Sequence, residues 1–168
     1  MPTRYNGTKA ERRALDAFIK LIRASETITN RLTNLVADQT GLTLSQFSVM
    51  EALLHIGPMC QKDIAQKQLK TGGNITLVID NLEKRGLVKR ERCQEDRRLI
   101  YVHLTKPGSK LIGDYFPHHA RAIVHEMCVL SAGEQDQLAE LVRKLGLQEG
   151  RQSAGAYPQD CYIGGRSG

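Results

Sequence analysis

The chain contains no tryptophan and few aromatic residues of any kind, so its core is expected to be aliphatic. No uninterrupted apolar run is long enough to cross a bilayer. No signal-peptide core follows Met1, where the sequence MPTRYNGTKAERR is polar and basic. A cytoplasmic location with no membrane partner is the expectation. Cysteine is sparse: Cys60, Cys93, Cys128 and Cys161 stand far apart without a Cys-x-x-Cys pair. This excludes zinc-finger spacing and, in a reducing cytosol, leaves thiols rather than a disulfide framework. The chain also lacks a G-x-S-x-G elbow, a Walker loop, a G-x-G-x-x-G turn after a strand and an H-E-x-x-H zinc motif. No thiol neighbours a histidine in sequence. An enzyme is therefore not expected, and no cofactor or metal is called for.

What is present is a chain of 168 residues, long enough for one domain with a real core. Its 24 Lys and Arg exceed its 18 Asp and Glu, a formal charge of +6. A basic surplus favours an anionic partner such as nucleic acid, although many soluble enzymes are equally basic. From Lys9 to Asp38, Leu15, Phe18, Ile19, Ile22, Leu32, Leu35 and Val36 recur at helical spacing. One long helix or two fit, with a bend at the polar stretch 23–27. Such a terminal amphipathic helix needs a partner surface for its stripe, which a second copy of the chain would supply. After Gly41, Thr43 and Gln46 form a capping box that opens a helix bearing Phe47, Val49, Met50, Leu53 and Leu54. Gly57-Pro58 ends it.

Residues 61–105 organise the rest. A short helix over residues 61–68 carries Ile64 and Ala65 inward, and Thr71-Gly72-Gly73 supplies a turn. The next helix, over residues 74–85, places Ile75, Val78, Ile79 and Leu82 on one face. Its opposite face holds Leu77, Asp80 and Lys84, flanked by Asn74 and Thr76. Leu77 has no core to enter there. Single exposed leucines are common, but on a helix aimed at DNA a leucine suits a thymine methyl. Two strands follow, 87–91 and 99–104, with Ile100, Val102 and Leu104 expected inward and Tyr101 and His103 outward. The loop between them carries Arg92, Arg97 and Arg98 around Asp96. It reads either as a solvated hairpin tip or as guanidinium probes for phosphates or a narrow minor groove, with Asp96 orienting Arg98. Helix, turn, helix and hairpin in this order form a winged helix-turn-helix.

Beyond Lys106-Pro107-Gly108 a helix carries Leu111, Ile112, Tyr115, Phe116, Ile123, Val124 and Met127, with a kink expected before Pro117. Ser131 and Glu134 open a last helix that stops at Gly146. Residues 148–168 are rich in Gly and Ser and read as a tail without fixed structure.

The runs LTLSQFSVMEAL, NITLVIDNLEKRGLVKR and DRRLIYVHLTKPG resemble, in order, the MarR family of bacterial winged-helix regulators. The most specific piece is Asp-x-Arg followed by an apolar strand and Leu-Thr-x-x-Gly: Asp96, Arg98, Leu104, Thr105 and Gly108. The resemblance implies a mainly α fold with a two- or three-stranded β-wing. Residues 1–40 and 106–147 would be dimerisation helices, and residues 41–105 the DNA-binding region. It implies a homodimer on double-stranded DNA in the bacterial cytosol, repressing a pseudo-palindromic operator until a small ligand or thiol oxidation releases it. Thr71, Asn74, Thr76 and Leu77 would face the major groove. Lys62 and Arg92, with Arg97 and Arg98, would meet backbone or minor groove. Members often carry a basic or polar residue where Leu77 stands, which points to a different base preference. The alternative is a winged-helix module for protein contacts without specific DNA binding.

The switch is left open. The chain has no cysteine before Cys60, so a first-helix thiol sensor is excluded. Cys60 beside Lys62 and Cys93 among the wing arginines are the redox candidates, against a simpler reading as ordinary thiols; Cys128 is expected to be buried in the dimer helices. Asp114 and His118 lie one turn apart on the helix that also carries His119 and His125, but no second ligand set is evident, and the His118–His119 pair near the kink is expected to be solvated. A small aromatic or anionic effector would sit between the dimer helices and the winged region, drawing on Phe47 and on Arg23 or Arg31 for a carboxylate.

Overall fold

The computed structural model describes residues 5–68, 72–92 and 99–147. The element order is α1 (Lys9–Thr40), α2 (Leu44–Ile56), β1 (Met59–Cys60), α3 (Gln61–Lys67), α4 (Gly72–Lys84), β2 (Val88–Arg92), β3 (Ile100–Leu104), α5 (Lys106–Met127) and α6 (Ala132–Leu147). A mainly helical chain with a small antiparallel sheet is thus observed. It divides into two compact units, Thr29–His125 and the pair of segments Met1–Ile28 and Glu126–Gly168. The tail, the wing tip and Thr71 lie outside the described residues.

The unit Thr29–His125 holds the core. α2 starts on the capping box read from the sequence: Gln46 N–H donates to the Thr43 hydroxyl at 3.3 Å, and Thr43 N–H donates to Gln46 Oε1 at 3.0 Å. Phe47, Val49, Met50 and Leu53 of α2 meet Ile64 of α3, Ile75, Ile79 and Leu82 of α4, Val102 of β3 and Ile112 of α5. Burying a side chain such as Leu82 completely contributes about 1.5–3 kcal/mol. The aliphatic character expected from the missing tryptophan holds, with Phe47 as the one fully buried ring among the described residues.

The sheet runs β1-β3-β2. β1 is two residues long, Met59 opposite Val102 and Cys60 opposite Tyr101. So short a strand has no readable alternation, which is why only two strands were legible. β2 pairs β3 from Val88↔Leu104 to Arg92↔Ile100. Ile100 departs from the inward pattern and is exposed, while Val102 is fully buried. The reason is position: Ile100 pairs with Arg92 at the far end of the ribbon, beyond the core.

The base of the hairpin explains the Leu-Thr-x-x-Gly run. α4 ends with Gly86 at φ +68°, where Leu87 N–H reaches Leu82 O at 3.0 Å and Gly86 N–H reaches Glu83 O at 2.8 Å. This is a Schellman turn, with Leu82 and Leu87 both buried beside it. The Thr105 hydroxyl donates to Gly86 O at 2.6 Å and accepts from Gly108 N–H at 3.1 Å, so it caps α5 while holding the end of α4. Thr105 N–H also donates to Leu87 O at 3.1 Å. A Cβ on Gly108 would lie 1.9 Å from that same Leu87 oxygen. Only glycine permits the approach.

α1 is one helix through the polar stretch, and its carboxyl end is closed by Arg85, just past α4, which donates to Gly41 O at 2.9 Å and Thr40 O at 3.4 Å. α5 continues through Pro117. The residue four before it is Gly113, which limits crowding where the proline ring removes a backbone donor.

In the other unit, α1 begins on a Thr8–Glu11 box not anticipated from the sequence. α6 begins on the expected Ser131–Glu134 box, with Ser131 N–H donating to Glu134 at 2.8 Å and Glu134 N–H to Ser131 Oγ at 3.4 Å. Gln135 donates to the carbonyls of Met127 and Leu130 at 3.2 and 3.0 Å, satisfying the end of α5. α6 buries none of its residues in the single chain. Phe18, Ile22, Leu141, Val142 and Leu145 are exposed.

Candidate nucleic-acid interface

α4 is amphipathic in the sense its sequence indicates. Ile75, Val78, Ile79 and Leu82 are buried, whereas Asn74, Thr76 and Lys84 are exposed and Leu77 is 60% exposed. A leucine left this open on a helix whose other side is fully packed is an apolar point on a polar face. Lys62 on α3 is exposed, and Arg92 ends β2 exposed to solvent.

Two side chains from neighbouring elements fix this helix. From α3, Gln61 Nε2 donates to Thr76 Oγ1 at 2.5 Å. From β2, Arg90 donates through Nη2 to Asp80 at 2.6 Å and through Nη1 to Glu83 at 2.6 Å. Arg90 Nη2 also reaches Thr76 O at 3.5 Å, and its own backbone N–H donates to Glu83 Oε1 at 2.9 Å. Burial works to lower the Arg90 pKa, but the hydrogen bonds and charges of Asp80 and Glu83 outweigh it and raise it. The guanidinium fork thus ties the wing to the exposed helix by a bond to each carboxylate.

Neither Gln61 nor Arg90 was singled out from the sequence. For Arg90 a signal exists: it shares the inward face of β2 with Val88, and a cation there needs carboxylate partners. Asp80 and Glu83 are the carboxylates α4 offers. For Gln61 there is no comparable signal, because its partner lies across a turn whose geometry the sequence does not specify.

The other candidates are placed as follows. Thr71, Cys93, Asp96, Arg97 and Arg98 lie outside the described residues. Phe47 is 1% exposed, edge-on to Tyr115 with ring centroids 5.7 Å apart and 4.5 Å from His119. Its ring is part of the core and is covered by α5. Arg23 and Arg31 are exposed and belong to different units. Cys60 is buried within β1 at the start of α3. Cys128 follows the last residue of α5 and is exposed in the single chain.

One histidine differs from expectation, while His118 is exposed as expected. His119 is 7% exposed, packed against Phe47, and its Nδ1 has no hydrogen-bond partner among the described residues. Burial pushes its pKa below the ordinary value, with Glu51 opposing. Asp114 pairs with Lys110 at 2.8 Å. Among the described residues no three His, Cys, Asp or Glu side chains are placed to hold a metal ion, and no helix is long and apolar enough to cross a membrane. An open groove of about 440 Å³ lies on the outer side of α2, lined by Ser48, Glu51, His55 and Lys67.

Comparison with known proteins places this arrangement. The MarR family model matches residues 42–100, from just before α2 through the first residue of β3. The uncharacterised HTH-type transcriptional regulator YkoM of Bacillus subtilis is 33% identical over 143 residues, covering 85% of this chain and 92% of that protein. This chain belongs to the MarR family. A second relative, the HTH-type transcriptional regulator MhqR of Bacillus subtilis, is 34% identical over 135 residues, 80% of this chain and 92% of its own length. The fold agrees with Sco3205, a MarR family transcriptional regulator from Streptomyces coelicolor solved in complex with DNA. Its TM-score is 0.77 at 20% identity, over 90% of this chain and 95% of that one. The protein is accordingly a MarR-family transcriptional regulator. α3 and α4 are its helix-turn-helix, and β2 and β3 its wing.

Proposed function

We propose that this MarR protein binds a pseudo-palindromic operator as a homodimer in the cytoplasm, represses transcription there, and acts by binding rather than by turnover. The observation that carries the reading is α4: packed on one side, open on the other, with Leu77 projecting between Asn74 and Thr76 and the helix held from both flanks. Thr71, Asn74, Thr76 and Leu77 face bases. Lys62 and Arg92 meet phosphates, and Arg97 and Arg98, oriented by Asp96, reach the minor groove or backbone. The DNA complex of Sco3205 supports this use of the fold. The exposed apolar residues of α1 and α6 support a second copy as partner, which sets two copies of α4 about one helical turn of DNA apart.

A small aromatic or anionic effector, met by Arg23 or Arg31, is the favoured release signal. Thiol oxidation is second, because Cys60 is buried and an oxidant must reach it. A mobility shift on the DNA upstream of the protein's own gene, run across a salt series, tests the reading. Salt-steep and palindrome-dependent affinity is expected. Equal affinity for unrelated duplexes refutes it and leaves the protein-contact module.

A further inference from the structure

We infer that Gln61 is a specificity-determining residue that reads an adenine beside α4. The inference rests on the exposed face of α4 being the one that meets bases. Gln61 belongs to α3, yet its amide lies at α4, 2.5 Å from the hydroxyl of the exposed Thr76. A group that close to a side chain on the DNA-facing surface shares its place there. Thr76 is itself located by a second tie, the Arg90 guanidinium on its carbonyl at 3.5 Å. The position of the amide is therefore set by three elements, α3, α4 and β2.

The chemistry follows from what the bond uses. A glutamine amide carries two N–H donors and a carbonyl acceptor. Thr76 takes one N–H, which leaves a donor and an acceptor on one planar group. That pair matches the N7 acceptor and N6 donor of adenine in the major groove. It matches neither guanine, which offers two acceptors, nor cytosine, which offers a donor alone. The bond to Thr76 also fixes a side chain with three rotatable bonds before DNA arrives, so less ordering entropy is lost on binding. A plain strut between α3 and α4 would need the same bond but would leave no mark on base preference.

The test uses the full chain and a randomised duplex library. The site selected by the wild-type protein is remade with every single-base substitution and titrated against Gln61→Glu, Gln61→Ala and Leu77→Ala. Glutamate keeps the length of glutamine and can still accept from the Thr76 hydroxyl, but it offers DNA only acceptors, the pattern suited to cytosine N4. With Gln61→Glu, one position per half-site changes preference from adenine to cytosine by roughly tenfold, and the others keep theirs. With Gln61→Ala, discrimination at that same position is lost. An even loss at every base marks a phosphate contact or a strut and overturns the inference, as does an unchanged profile. If Leu77→Ala alters one position while Gln61→Glu alters none, the inference on Gln61 falls alone. If neither alters any, the base-reading role of α4 falls with it.

Discussion

Arg90 offers the most direct perturbation of the link between wing and α4. Arg90→Ala removes bonds at 2.6 Å to Asp80 and at 2.6 Å to Glu83, and leaves the two carboxylates without their shared cation. A charge-assisted bond contributes about 1.5–3 kcal/mol when buried, and an exposed ion pair about 0.2–1 kcal/mol. The Arg90 side chain is 21% exposed, but Asp80 and Glu83 are 41% and 39% exposed, so solvent screens much of the attraction. Discounting each pair to about 1 kcal/mol, and adding the lost packing of the arginine stem, gives a destabilisation of about 1.5–3 kcal/mol. Urea unfolding of wild type, Arg90→Ala, Asp80→Asn and the double variant closes a cycle. The expected coupling between Arg90 and Asp80 is about 0.5–1.5 kcal/mol, shrinking in high salt. Arg90→Lys keeps the charge but not the fork and should fall between wild type and alanine. Coupling below about 0.3 kcal/mol would refute the argument, since the two side chains would then act independently.

Gly108→Ala places a methyl 1.9 Å from Leu87 O, a backbone atom that cannot rotate away, so the variant should lose at least about 1–3 kcal/mol in chemical denaturation; an unchanged midpoint would show that the hairpin base gives way freely. The lowered His119 pKa carries a pH signature. The unfolded chain takes up the proton near the ordinary histidine value of about 6.5, while the folded chain does so only at lower pH. Stability is therefore full above that value and declines as pH falls below it, until the folded form also protonates. His119→Phe should flatten this part of the pH profile in urea melts between pH 5 and 8, and an unaltered slope would count against the assignment. Leu77→Ala should relax preference at one thymine by about 1–3 kcal/mol in competition titrations, whereas a uniform loss would put the side chain somewhere other than a base edge.

Much of this was open to inspection in the sequence because it is local. The boxes at Thr43 and Ser131 and the buried face of α4 depend on residues within one helical turn or so of each other. What escaped is long-range or too short to carry a period. β1 has two residues, and the Gln61–Thr76 bond spans a turn. His119 was expected in solvent as one of a histidine pair beside Pro117, but the packing of α2 against α5 decides its fate. In the interface, Leu77 was found from its face of the helix. The side chains that hold that face still were not, since nothing in α4 itself identifies which strand residue meets Asp80.

The dipeptide Gly86-Leu87 has a further consequence. Its backbone takes part in ending α4, holding the Thr105 hydroxyl and amide, and admitting Gly108. For an engineer, the wing therefore has one end where its length is fixed. A residue inserted beside Gly86 or Thr105 would shift every one of those bonds out of register at once. The angle at which the wing leaves the helix is therefore set at this junction.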